Sequence, residues 1–323
     1  MTPSFVPVEE GSQQITRYDP SNYGRVMIHS TWGKAFLKEE IEATDPDGLS
    51  MWYLGCNGIV VRSPETTLYI DPFFGDGDPP SFYRMIPVPL HPEDVELCDG
   101  VLVTHEHLDH FHPKSYGPIL ENTGCDIYAT ATCFENPQIS WDDFRAPEKQ
   151  RQIIEEGDDL EIGDLTVHVR GGNDPDAIEE VTFVIEHDSG VFFNAGDSRY
   201  AEEFHDIGDE FDIDVGNLVF GSVNRIYWSE KWVEEGFVDE VGTMEVQSYM
   251  DENDVIRSAN ALELDRLVPT HWDMWKGGMG DPKVLHEHAE SFPYPRSIEV
   301  AKIGDRFDGD CYGIQPLRNV EIH

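Results

Sequence analysis

Between residues 51 and 103 the chain consists of short apolar runs separated by turn residues. Met51–Leu54, Gly58–Arg62 and Thr67–Ile70 read as strands, and Ser63-Pro64-Glu65 punctuates the last two as a hairpin. Gly100–Thr104 is a further apolar run without alternation, the pattern of a strand buried on both faces. Upstream, residues 24–44 carry apolar positions at mixed helical spacing and end in Lys38-Glu39-Glu40-Ile41-Glu42, which predicts a helix. Asp45-Pro46-Asp47-Gly48 is a strong turn signal. Pro92 can open a short helix; residues 113–122 read as helix and 125–130 as strand. Residues 158–170 hold two strands around Gly163-Asp164, and Val181–His187 pairs with Val191–Ala195 around Asp188-Ser189-Gly190. Asp214–Ser222 is another run of this type. Residues 243–261 read as helix, Leu264–Thr270 as strand, 282–291 as helix and 297–303 as a closing strand. Strands and helices mix, with hairpins in both halves. That predicts layered α/β structure with mixed sheets rather than a βαβ repeat. The expected organisation is a leader and helix over residues 1–45, packed on one domain over 46–323.

Composition narrows the class. Of 323 residues, 39% are hydrophobic and 11% aromatic, enough to build a core. No apolar run approaches the about 18 residues that span a bilayer. The acidic segment Met1–Gln14 has no apolar stretch, so no signal peptide is expected. With 64 acidic against 22 basic residues the net charge is −42, which disfavours nucleic acid and anionic membranes as partners. The acid is spread along the whole chain and interleaved with apolar residues, as in Phe211-Asp212-Ile213-Asp214. This predicts a folded protein adapted to high salt, where screening relieves self-repulsion. Cys56, Cys98, Cys125, Cys133 and Cys311 form no CxxC, so buried reduced thiols and a cytoplasmic location are expected.

The chemistry concentrates in Thr104-His105-Glu106-His107-Leu108-Asp109-His110, directly after a buried strand. His105 and His107 point the same way in extended backbone and can hold one divalent ion. Asp109 and His110 can hold a second ion or activate water. Mixed imidazole and carboxylate donors suit Zn²⁺, Mn²⁺ or Fe²⁺. One loop cannot fill two coordination shells, so further ligands must come from other strand ends. Asp197, in Asn194-Ala195-Gly196-Asp197-Ser198, and His271, in Pro269-Thr270-His271-Trp272-Asp273, both follow strands. Singly each reads as a turn aspartate or a capping histidine; together they read as ligands.

His105, His107, Asp109, His110, Asp197 and His271 resemble the site of the metallo-β-lactamase superfamily. Glu40-Ile41-Glu42, the stretch Met51-Trp52-Tyr53-Leu54-Gly55-Cys56-Asn57-Gly58-Ile59, Gly196-Asp197-Ser198-Arg199-Tyr200 and His271-Trp272-Asp273-Met274-Trp275 resemble, within it, the ascorbate-6-phosphate lactonase family. The resemblance implies an αββα sandwich of two mixed sheets with one or two ions, Mn²⁺ or Zn²⁺, along one edge. It implies His105 and His107 at the first ion, Asp109, His110 and His271 at the second, and Asp197 between them. A further ligand is expected in the window 168–176. Asp174 lies nearer the loop position and is preferred, His168 is the alternative, and neither is the third reading. A carboxylate there favours Mn²⁺.

The implied activity is a lactonase opening a sugar or sugar-phosphate lactone with metal-activated water, Asp109 and His271 being catalytic. The alternatives are a phosphodiesterase acting on small or lipid substrates, and a non-catalytic metal-binding scaffold. Arg199, Asn224 and Arg225 are candidates to bind a substrate carboxylate or phosphate, or equally surface salt-bridge partners. Trp272 and Trp275 are core residues or a sugar-stacking wall, the core being preferred. Asp71 is a candidate to orient a ligand histidine. His91, His112, His286 and His288 read as surface or capping residues. The expected partner is a small molecule, and homo-oligomerisation is left open.

Overall fold

The computed structural model describes residues 34–78, 82–135, 146–221, 224–228, 242–276, 279–309 and 313–315. The expected leader, and residues 24–33 of the expected first helix, lie outside them, as does Cys311. The first sheet has the order β19 (Ile314–Gln315), β18 (Arg306–Asp308), β1 (Ser50–Gly55), β2 (Gly58–Arg62), β3 (Thr67–Ile70), β6 (Gly100–Leu102), β7 (Asp126–Ala129) and β8 (Arg151–Ile153). The second has β17 (Ser297–Ile298), β16 (Arg266–Thr270), β13 (Val215–Val219), β12 (Gly190–Asn194), β11 (Val181–His187), β10 (Leu165–Gly171) and β9 (Asp159–Ile162). Two ribbons stand apart, β4 (Gly77–Asp78) with β5 (Phe82–Tyr83), and β14 (Asn224–Trp228) with β15 (Gly242–Val246).

Side-chain alternation builds four layers. Met51, Tyr53, Ile59, Val61, Leu68, Ile70 and Leu102 point between the sheets and meet Val167, Phe183, Ile185, Phe192 and Val268. Their neighbours Trp52, Leu54, Val60, Tyr69 and Val101 point the other way. They pack on Tyr116, Ile119 and Leu120 of α1 (Pro113–Thr123), on Phe134 of α2 (Ala131–Glu135), and on Phe36, Leu37 and Ile41. Behind the second sheet, Val184, Phe193 and Leu218 pack on α3 (Glu203–Glu210), α4 (Glu252–Ala261) and α5 (Val284–Ala289). Each central strand is therefore buried on both faces, which is why the sequence reads as unbroken apolar runs. Each such side chain contributes about 1.5–3 kcal/mol of transfer free energy.

Both sheets are mixed in the same sense. β1, β2 and β3 are antiparallel, then β3, β6, β7 and β8 run parallel. β9 to β12 are antiparallel, then β12, β13, β16 and β17 run parallel. The C-terminal ends of β3, β6, β10, β12 and β16, with the β1–β2 turn, gather at one edge of the sandwich.

Three expectations are corrected. Residues 243–261 are not one helix: Gly242–Val246 is a strand, and α4 starts only where the Asp251 carboxylate accepts the Asp254 N–H at 2.9 Å. In the expected first helix, Phe36–Ile41 forms a π-helical turn, with the Glu42 N–H donating to the Leu37 carbonyl at 2.8 Å. The expected closing strand over 297–303 is confined to Ser297–Ile298. Helix α3 escaped the pattern because Phe204 and Ile207 are its only buried residues. Among the described residues no helix is long and apolar enough to cross a membrane.

Candidate metal centre

The edge where those strand ends meet collects the His-rich loop after β6, Asp71 after β3, Asp197 after β12, His271 after β16 and the loop after β10. Four described non-glycine residues have positive φ, and three of them are here: Cys56 at 58°, Asp71 at 42° and His271 at 63°. Such backbone is unfavourable for these residue types and concentrates where a site dictates side-chain direction. Gly196, at φ 60°, is also required: a Cβ there would lie 2.6 Å from Glu180 Oε1.

Donor atoms converge in three overlapping groups, each lying within 4.8 Å: His105, His107 and Asp174; His105, His110 and Asp197; and Cys56, Asp109, His110 and His271. His105 Nε2 lies 2.9 Å from His107 Nδ1, and Asp174 Oδ2 is 3.7 and 3.4 Å from those nitrogens. Asp197 stands between the groups, with Oδ2 3.4 Å from His110 Nε2 and Oδ1 3.1 Å from His271 Nε2. His110 Nε2 and Asp197 Oδ1 are buried without a well-directed hydrogen bond. Orphaned donors of this kind, aimed at a common point, suit a cation.

A second ring of contacts fixes the imidazoles. Asp71 Oδ2 lies 2.6 Å from His110 Nδ1, leaving Nε2 for the centre, while Asp71 Oδ1 accepts the Thr104 N–H at 2.9 Å. Glu180 Oε1 lies 3.6 Å from His105 Nδ1 and accepts the Asp197 N–H at 2.8 Å; its Oε2 accepts the Ser198 hydroxyl at 2.6 Å. Asn57 ties the two sheets below, donating to Asp71 at 2.7 Å and Asn194 at 2.9 Å and accepting from Asn217 at 2.7 Å.

Electrostatics point the same way. Burial opposes the charge on Asp197, but His271, His110 and His105 hold its carboxyl well below the usual range. Burial lowers His110 too, yet Asp197, Asp71 and Asp109 outweigh it and raise the imidazole. Burial, and then the neighbouring His110, depress His105. Burial also depresses His271. Asp174 is pushed up to about 6 by burial and by Asp197, and Glu180 is raised well above its normal range, chiefly by burial. Asp71, Asp109, Asp174, Glu180 and Asp197 thus crowd one cavity, an arrangement that divalent cations would relieve.

The structure brings together His105, His107, Asp109, His110, Asp174, Asp197 and His271. His168 is not among them: it lies on the outer face of β10, with Nδ1 2.7 Å from Asp159 and Nε2 3.2 Å from Glu186. Arg199 is held at the rim, donating to the Gln247 carbonyl at 2.6 Å, with Asp176 at 3.6 Å. Asn224 and Arg225 open β14, and their side chains lie outside the described part of the structure. Trp275 is buried in the core and Trp272 packs against it. His91, His286 and His288 are exposed, whereas His112 is buried at the N-cap of α1, with Nδ1 2.6 Å from Ser115 Oγ. Sequence reasoning missed two residues of the centre, Glu180 and Cys56. The mark of Glu180 is its position one residue before a long apolar strand; Cys56 sits between the glycines of Gly55-Cys56-Asn57-Gly58, a tight-turn signal.

A four-layer sandwich with a His, Asp and Cys cage at one edge defines a metal-dependent hydrolase of the metallo-β-lactamase fold. Residues 66–272 match the family model described as Beta-lactamase superfamily domain, and the chain belongs to that superfamily. It is similar to "Probable L-ascorbate-6-phosphate lactonase UlaG" of Escherichia fergusonii, 25% identical over 301 residues, which cover 79% of this chain and 78% of that protein. Among solved structures it is similar to "a possible metal-dependent hydrolase from Veillonella parvula", with TM-score 0.59, 17% identity and coverage of 81% and 99% of the two chains. It is also similar to Igni18, a metallo hydrolase from Ignicoccus hospitalis, with TM-score 0.57, 16% identity and coverage of 80% and 97%.

Proposed function

We propose that the chain is a metal-dependent lactonase that opens a sugar or sugar-phosphate lactone. The observation that carries this reading is the likeness, over 79% of the chain, to a relative named as an L-ascorbate-6-phosphate lactonase. His105, His107 and Asp174 would hold one ion, Asp109, His110 and His271 the other, with Asp197 between. Divalent ions bound there, Mn²⁺ or Zn²⁺, would polarise a lactone carbonyl and supply hydroxide near neutral pH. Asp109, mostly buried at the centre with a side chain 20% exposed, would orient the attacking water and accept its proton. Asp71 and Glu180 would keep His110 and His105 in their working orientation. Arg199 and Arg225, as cations in so acidic a chain, and Asn224, as a neutral donor, would meet a substrate carboxylate or phosphate. The protein would work in a salt-rich cytoplasm on a small molecule, not on nucleic acid or membrane.

The test is proton release in high salt with Mn²⁺ or Zn²⁺, over aldonolactones and phosphorylated lactones, with His107→Ala alongside. Turnover lost in the variant supports the reading. Opening of every lactone at the same rate in the variant overturns it as spontaneous. A metal-loaded protein that opens none of them points instead to a phosphodiesterase, and a protein that loads no metal points to a scaffold.

A further inference from the structure

In sequence Cys56 reads as one more buried thiol. In the structure it lies in the β1–β2 turn, wholly buried, with left-handed backbone that glycine or asparagine would adopt more easily. Its Sγ lies 3.1 Å from His271 Nε2 and 3.2 Å from Asp109 Oδ2. The same space receives His110 Nε2, fully buried, and is bordered by Asp197 Oδ1, on a side chain 9% exposed, and neither has a well-directed hydrogen bond. An ion held tetrahedrally with bonds of about 2.0–2.3 Å separates its ligand atoms by roughly 3.3–3.8 Å. Here Asp109 Oδ2 and His110 Nε2 are 3.7 Å apart, and the two sulfur edges are close to that range before any ion draws the donors into place.

We propose that Cys56 is a thiolate ligand of the second ion, shared with Asp109, His110 and His271, and that this cage takes a borderline-soft ion such as Zn²⁺ in preference to Mn²⁺. Binding forms a sulfur–metal bond and releases the thiol proton to solvent, with no change of oxidation state. Thiolate, imidazole and carboxylate together select such an ion, whereas His105, His107 and Asp174 offer no sulfur. The preference for Mn²⁺ argued from the carboxylate Asp174 then applies to the first ion alone. The remaining described thiols serve as controls. Cys98 and Cys125 lie 3.5 Å apart within the core beneath α1, and Cys133 lies in the same core, away from this cage. The proposal rests on the metal-dependent part of the reading above and not on the lactone.

The full-length chain, stripped with chelator and kept anaerobic, is titrated with Co²⁺ while near-ultraviolet absorbance is followed. The expected result is a thiolate-to-cobalt charge-transfer band that saturates with one of two equivalents. It disappears in Cys56→Ser, with at least about tenfold weaker binding of that equivalent, and persists in Cys98→Ser. Two equivalents bound by the unaltered protein without the band would overturn the proposal and leave the metal centre standing, as would a band that survives Cys56→Ser. Failure of the unaltered protein to bind cobalt would overturn both. The unaltered protein can thus overturn the proposal even if a variant misfolds.

Discussion

Cys56, His110 and His271 are fully buried; Cys56 and His271 sit on left-handed backbone at strand ends, and His110, in the turn of the His-rich loop, is held by the Asp71 carboxylate at 2.6 Å. His107 is 35% exposed, and Asp174 belongs to the loop after β10, which hydrogen bonds tie to neighbouring loops. Those bonds include the Asn173 N–H to Ser198 Oγ at 2.9 Å, the Asn173 side-chain amide to the Tyr200 carbonyl at 2.9 Å, the Arg199 N–H to the Asn173 carbonyl at 3.0 Å and the Ile178 N–H to Glu106 Oε1 at 2.6 Å. His105 and Asp197 stand between the two groups. Backbone fixed by sheet pairing positions a ligand without further help, whereas a loop positions one only as well as its side-chain anchors do. The buried group should therefore hold its ion tightly, and the loop-bearing group should hold a more exchangeable one and face arriving substrate. The largest expected effect removes what both share. Asp197→Ala should lower kcat/KM by at least about 10³-fold and weaken both ions, read by metal analysis after gel filtration. Loss of one ion with the other kept would show that the two groups do not share Asp197.

Much of this was legible in the sequence. The motif from His105 to His110 is contiguous and follows an apolar strand, and Asp197 and His271 follow strands that their apolar runs announce. The parallel halves of both sheets bring exactly such strand ends to one edge, so the inference from strand end to site was physical. Glu180 was not legible because one glutamate among 64 acidic residues carries no signal until Ser198 and the Asp197 N–H are seen to meet it. Cys56 was hidden for the opposite reason, since a thiol in a turn between two apolar strands looks like packing. The strand at 242–246 was read as helix because its apolar residues, Met244 and Val246, are too few to set a period before the Asp251 cap.

Anchors on the two sides offer a sharper comparison at intermediate scale. Asp71 serves the buried group through His110, and Glu106 serves the loop that carries Asp174. Asp71→Asn should weaken the second ion by about 10–100-fold, because the amide no longer enforces the His110 orientation. Glu106→Ala should weaken only the first ion, by about tenfold, and Glu106→Gln, which keeps an acceptor for the Ile178 N–H, should recover most of it. Metal titration of each variant separates the cases. Equal losses at both ions from Glu106→Ala would mean that the loop is not an independent support.

The smallest expected effect concerns a histidine that the two groups leave out. Along β10, Leu165, Val167 and Val169 point into the core, and that alternation sends His168 to the outer face. There it lies between Asp159 and Glu186, and its ring centroid is 4.8 Å from that of Phe211. His168→Ala should leave both metal equivalents and the activity within about twofold, and cost no more than about 1 kcal/mol of stability in a denaturant titration, as expected for a surface pair. Loss of a metal equivalent in this variant would require a donor on the outer face of the second sheet. The contrast between a buried cage and a loop-held one would then no longer describe the centre, because a third element would share the work of the loop.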